Sequence, residues 1–183
     1  KVWMTTWHKG LYMYDPSVGE TTVFKKDDLA YSYVLHQDSD NDIWVGTWGR
    51  GLLRLAEDFC SSSGYVKYDT ATPDGETLLD EVIYAINDVD GYILVGGQKG
   101  FSIIDRESED TRFFAPGTSE NSLPYNQVNT ILVTANGNVY LGLYGGGMCS
   151  VADKVIPYAV DPLSEIRRRF GTNTVHGIFA SDS

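Results

Sequence analysis

Residues 41–52 read NDIWVGTWGRGL. Nearly the same phrase opens the chain as VWMTTWHKGL (2–11) and returns as NVYLGLYGGGM (138–148). A fainter copy is YILVGGQKGF (92–101). Aligned on Trp3, Trp44, Leu94 and Tyr140, the copies lie 41, 50 and 46 residues apart. A repeat of roughly 40–45 residues is the length of one four-stranded propeller blade, and longer loops account for the excess.

Each unit reads as four strands. In the second these are YSYVLHQD (31–38), IWVGT (43–47), LLRLA (52–56) and YVKYD (65–69). The third gives VIYAIND (82–88), YILVG (92–96), FSIID (101–105) and TRFF (111–114). The fourth gives QVNTILVT (127–134), VYLGL (139–143), MCSVA (148–152) and KVIPYAV (154–160). Asp90-Gly91 and Asn136-Gly137 sit between apolar runs, the strongest short-range hairpin signal. Almost no helix is expected, apart from one turn or an irregular loop over SEIRRRF (164–170), between Pro162 and Gly171.

The expected architecture is therefore all-β, a β-propeller of about four blades of four antiparallel strands. Blade 1 is partial (1–27), and blades 2, 3 and 4 cover 28–70, 80–115 and 125–161. A first strand of a next blade covers 174–182. The opening residues already follow a strand pattern, so the start reads as cut. Two readings of the ends stay open. Residues 174–182 complete the first blade and close a four-bladed ring, or the chain is an incomplete arc of a larger, seven-bladed propeller. The arc is favoured.

Composition narrows the function classes. The 183 residues carry 25 acidic and 14 basic side chains, a net charge of −11. A nucleic-acid partner needs a basic field and is not expected. No run of 18 apolar residues exists, so no membrane contact is expected from this segment. Aromatics make up 13%, with 12 Tyr and 4 Trp, beside 19 Gly. That mixture suits strands and tight turns. Cys60 and Cys149 fall at non-equivalent places in the repeat and are not expected to pair. No zinc-ligand spacing is present, nor an EF-hand pattern, so no metal or cofactor is expected. The histidines His8, His36 and His176 stand outside any catalytic motif, and the carboxylates of DSDND (38–42) and ESED (107–110) read as solvated turn residues.

The phrase NDIWVGTWGRGL resembles the two-component regulator propeller repeat, whose core reads D-x-x-G-x-I-W-x-G-T-x-G-G-L. SLPYNQVNTI (122–131), led by Asn121, is similar to that family's N-S-L-x-x-N-x-V-x-x-I entry into a first strand. Two departures stand out. Thr5 replaces the consensus Gly, and the third unit lacks an aromatic in its loop and is one residue shorter there. The resemblance implies the periplasmic sensor region of a bacterial hybrid histidine kinase that detects polysaccharide fragments. It also implies further blades and a kinase on the same polypeptide, and a homodimeric full-length sensor. The fragment itself is not expected to be an enzyme.

If the first strand of each blade is innermost, the loop between second and third strands opens on the same face as the link between blades. Candidate ligand-binding residues on that face are Trp7, His8, Lys9, Trp48, Arg50, Lys99 and Tyr144. Aromatic rings pack against sugar C–H faces, and cations meet hydroxyls or acidic groups. Taken singly, a plainer use is favoured: Trp7, Trp48 and Tyr144 packing blade against blade, and Lys9, Arg50 and Lys99 keeping loops soluble. Arg167, Arg168 and Arg169 read as a solvated run on the same face. Three functions follow in order: an oligosaccharide-recognising sensor module, a structural or protein-interaction propeller, and last a polysaccharide lyase or hydrolase.

Overall fold

Asp38 shows how the repeated phrase folds. Its carboxylate is buried, with Oδ1 accepting from the amides of Asp40 and Asp42 at 3.0 and 2.9 Å. Oδ2 accepts the indole N–H of Trp44 at 2.8 Å. One side chain thus closes the turn and pins the aromatic that follows it. The expectation of a solvated turn is corrected at this residue: two backbone amides and an indole replace water around its carboxylate.

The computed structural model describes residues 1–56, 58–70, 78–117, 122–151 and 174–180. Its strands are β1 (Val2–Thr6), β2 (Gly10–Asp15), β3 (Glu20–Phe24), β4 (Ser32–Gln37), β5 (Ile43–Thr47), β6 (Leu52–Leu55) and β7 (Tyr65–Tyr68). They continue as β8 (Ile83–Val89), β9 (Tyr92–Gly97), β10 (Phe101–Asp105), β11 (Thr111–Phe114), β12 (Val128–Val133), β13 (Val139–Leu143) and β14 (Gly147–Val151). They form four antiparallel sheets in chain order, β1-β2-β3, β4-β5-β6-β7, β8-β9-β10-β11 and β12-β13-β14. This is the propeller pattern.

The register of the repeat holds in every sheet. Thr5, Gly46, Gly96 and Gly142 pair with Leu11, Leu52, Phe101 and Met148. Two residues earlier, Trp3, Trp44, Leu94 and Tyr140 pair with Met13, Arg54, Ile103 and Ser150. The glycine is explained by close approach. A Cβ on Gly96 would lie 2.8 Å from Val128 Cγ1, and one on Gly142 would lie 2.5 Å from Thr130 Cγ2 and 2.7 Å from Val175 Cγ1. Thr5 is tolerated in the first sheet, and its hydroxyl donates to Tyr33 O at 3.2 Å.

The chain divides into two compact units, 1–83 and 84–183. In the first, Leu11, Met13, Phe24, Leu29, Val45, Leu53, Leu55 and Phe59 form the core. Phe59 belongs to α1 (Phe59–Ser62), a helical turn that the sequence reading did not expect. It forms because Phe59 plugs the core, 4.6 Å from the Phe24 ring and 6.1 Å from that of Trp3. The Ser62 hydroxyl donates to Asp58 across the turn, at 2.7 Å. A 3-10 turn at Asp27–Leu29 likewise seats buried Leu29. In the second unit, Leu94, Phe101, Ile103, Val128, Ile131, Leu141 and Leu143 anchor the core between two sheets.

Some expectations are corrected or fall elsewhere. Residues 174–180 carry no strand, although Val175 donates its amide to Leu143 O at 3.0 Å and packs over Gly142. Asn129 Nδ2 also donates to Val175 O at 3.2 Å, so the segment touches the sheet beside β12 and β13. The strand expected at 154–160, the turn at 164–170 and Arg167 to Arg169 lie outside the described residues. Cys60 is exposed and Cys149 is buried, and no disulfide joins them.

One contact in the first unit has a pH signature. The Tyr65 hydroxyl donates to Asp28 at 2.7 Å, and Lys67 lies 3.4 Å from the same carboxylate. Burial and then the Asp28 partner push the phenol up from 10.0 to about 12. Folding therefore favours the protonated phenol. That stabilisation is complete below pH 10 and is lost as pH rises toward about 12. Thermal melts across this window should fall more steeply for the wild type than for Tyr65→Phe. Equal slopes would show that folding does not raise the Tyr65 phenol.

Candidate functional site

The loops between second and third strands are built by the Thr of the repeated phrase. Thr47 is fully buried; its hydroxyl donates to Gly51 O at 2.8 Å and accepts from the Arg50 amide at 3.0 Å. Thr6 repeats the first contact with Gly10 O at 2.6 Å. The loops are tied to the links between sheets: His8 N donates to Ala30 O at 2.8 Å, Trp48 N to Tyr31 O at 2.9 Å, and Tyr144 N to Gln127 O at 2.9 Å. Loop and link share one face, as expected.

On that face of the first unit five aromatic rings meet. Trp7 makes edge contacts with His8, Tyr31 and Trp48 at centroid distances of 5.5, 5.5 and 5.7 Å. His8 lies 4.6 Å from Tyr31, and Tyr33 lies 5.8 Å from Trp48. Tyr33 is aimed there by a bulge, because the β4–β5 register shifts between Ser32 and Val34. Trp7 and Trp48 do touch across two sheets, yet they remain 51% and 40% exposed, and Tyr33 48%. The expected blade-against-blade contact is thus made by Trp7 and Trp48, with much of each ring left exposed. The rings sit on loops held outward by backbone hydrogen bonds, and the strand residues below already fill the core.

Beside the cluster lies a cavity of about 330 Å³ lined by His8, Lys9, Gly10, Lys25, Lys26, Asp27 and Ala30. Of the predicted residues, Trp7, His8, Lys9 and Trp48 are thus brought together. Arg50 is exposed on the neighbouring loop but lines neither the cavity nor the ring cluster. Lys99 and Tyr144 are exposed on loops of the second unit, where Tyr144 is 50% accessible. Sequence reasoning missed Tyr31, Tyr33, Lys25 and Lys26. The Tyr-x-Tyr opening of β4 and the Lys-Lys pair were the available signals.

A larger cavity of about 450 Å³ opens at the other end of β5, around Trp3, Asp40, Asp42, Leu55, Phe59 and Cys60. Its apolar floor belongs to the core, and its Asp42 faces Arg54 at 3.7 Å. Among the described residues no group of His, Cys, Asp and Glu could hold a metal ion. Nor is any described helix long and apolar enough to cross a membrane.

The two component regulator propeller family matches residues 28–49, which span the Asp38 turn, Trp44, Thr47 and Trp48. Residues 28–49 are thus similar to that family's repeat. The propeller repeat also sits within a wider likeness of fold. The extracellular domain of BT3049 from B. thetaiotaomicron, described as a hybrid two component system, superposes with a TM-score of 0.64 at 18% identity, over 80% of this chain and 18% of that one. That of BT4673 from the same organism gives 0.63 at 20% identity, over 82% and 18%. Virginiamycin B lyase from Staphylococcus aureus gives 0.61 at 14% identity, over 82% and 48%. This chain therefore spans about a fifth of the length of the two extracellular domains. No curated protein matches it in sequence.

Proposed function

We propose that this propeller is a ligand-reading module of a periplasmic, two-component sensor, and that its exposed aromatic cluster holds an oligosaccharide. The observation that carries the reading is the group of partly solvated rings, Trp7, His8, Tyr31, Tyr33 and Trp48, gathered on the loop face. Large aromatics left in water at a contiguous patch mark a binding surface. Rings set edge to face offer grooves in which a sugar's C–H faces stack, while tyrosine hydroxyls and the imidazole meet its hydroxyl groups.

Two comparisons support the sensor role: the family matched over residues 28–49 and the extracellular domains that share the fold. The lyase likeness, at 14% identity, is one of fold alone. On this reading further blades and a histidine kinase complete the polypeptide, and a homodimer carries the signal. Ligand then acts by binding one arrangement of the sensor more tightly than another.

Calorimetry against a panel of oligosaccharides tests the reading, with Trp48→Ala as the informative variant. Trp48 is a surface ring, so the variant should melt within about 3 °C of the wild type. Its affinity should fall roughly tenfold or more, as for an interface aromatic. A variant that binds as before, or one that simply unfolds, would return the cluster to a packing role.

A further inference from the structure

Resting on that reading, we infer that the cavity beside the aromatic cluster takes an oxyanion substituent, so that the ligand is an acidic saccharide bearing carboxylate or sulfate groups. The chain as a whole repels anions, with a net charge of −11. Yet three of its 14 basic residues, Lys9, Lys25 and Lys26, line this one cavity, against the single carboxylate of Asp27. Lys26 is already engaged: its Nζ donates to Ser63 O at 2.6 Å and lies 5.2 Å from the Tyr65 ring centroid. Lys9 and Lys25 form no salt bridge among the described residues, whereas Arg54 and Lys67 do. Two ammonium groups are therefore available to an incoming anion, and Asp27 can accept from a sugar hydroxyl.

His8 joins the cavity to the rings. It adopts φ 67, at the loop position held by Gly49 (φ 90) and Gly145 (φ 77) in the equivalent loops. A side chain in this left-handed region is strained relative to glycine. Here the local rule is broken at one loop only, and the imidazole placed by the break touches both Trp7 and Tyr31 while walling the cavity. Departures of this kind concentrate at functional sites. A sugar ring stacked on the cluster would thus carry its charged substituent past His8 toward Lys9 and Lys25. A volume of about 330 Å³ is of the size that takes a small ligand group.

Two matched pairs of probes test this on the whole chain by calorimetry at low salt. One pair is oligogalacturonide and its methyl ester; the other is sulfated poly-N-acetyllactosamine and its desulfated form. The acidic member of at least one pair should bind roughly tenfold more tightly than its neutral partner, the gain expected from two exposed charge contacts. Which pair responds separates carboxylate from sulfate. Added salt should erode the difference. Lys9→Gln with Lys25→Gln should abolish the difference, bringing the acidic member down to the affinity of its neutral partner. His8→Gly should melt no lower than the wild type yet lose the preference. Equal binding within both pairs, or a preference that survives the double variant, overturns the inference. If neutral and acidic members bind equally and Trp48→Ala abolishes both, the saccharide reading stands alone. If no member of either pair binds, both fall.

Discussion

Replacing Trp44 by alanine is expected to lower stability by about 4 kcal/mol, near the middle of the range for a buried Trp truncation, with a further loss from the acceptor left behind. Trp44 is fully buried and sits 5.6 Å from the Tyr68 ring, with the Arg54 guanidinium 5.8 Å from its own ring centroid. Its indole also fills one side of the Asp38 carboxylate. Removing it leaves a cavity and takes one hydrogen-bond donor from the buried Asp38 carboxylate. Single domains hold only about 5–15 kcal/mol, so the variant should be largely unfolded at modest urea. Trp44→Phe separates the two contributions, because it keeps most of the volume and deletes only the N–H. Urea titrations followed by circular dichroism would rank the wild type first, Trp44→Phe next and Trp44→Ala last. Equal midpoints for the wild type and Trp44→Phe would mean that the Asp38 contact contributes nothing.

The same residue shows what was legible in the sequence. Its spacing from Trp3, Leu94 and Tyr140 set the strand register, because a strand's faces alternate strictly and the sheet cannot shift by one residue without exposing its core. The IWVGT, FSIID, TRFF and VYLGL strands follow from that constraint. Loop residues obey no such alternation. Trp7 and Trp48 recur at one position of the phrase, and recurrence alone cannot tell a packed ring from a solvated one. What decides is the hydrogen bond from the Trp48 amide to Tyr31 O, made to a residue 17 positions earlier. Tyr31, Tyr33 and Lys25 enter the site by that route, from a link and a bulge whose local sequence gives no periodic signal. Asp38 was misread for a related reason. An Asp in a turn is normally solvated, and only the indole six residues later makes this one a buried acceptor.

Gly51→Ala is the second large effect, expected to destabilise by about 3 kcal/mol through strain and collision together. Gly51 has φ 78, where a side chain is strained. A Cβ there would also lie 2.2 Å from Tyr68 O, the carbonyl of the neighbouring strand. Backbone cannot swing aside as a flexible side chain would, so β7 must separate from β6 at the Leu52–Tyr68 pair. Gly10 repeats the arrangement, with its virtual Cβ 2.3 Å from Phe24 O. Gly49 supplies the control, because it has φ 90 but nothing within 4 Å of its virtual Cβ. Gly49→Ala therefore meets strain without collision and should cost about 1 kcal/mol. In a chain of this size the two variants should melt roughly 3 °C and 9 °C below the wild type, with Gly51→Ala the lower. The pair lies on either side of Arg50, and both amides donate to Glu81 O, at 2.9 and 3.0 Å. Loss of this anchoring in Gly51→Ala should also loosen the loop that presents Trp48, so oligosaccharide affinity should fall with the melting temperature in Gly51→Ala and stay near wild type in Gly49→Ala. Similar melting for the two would show that φ alone, and not the approach of β7, demands glycine at the end of the repeated phrase.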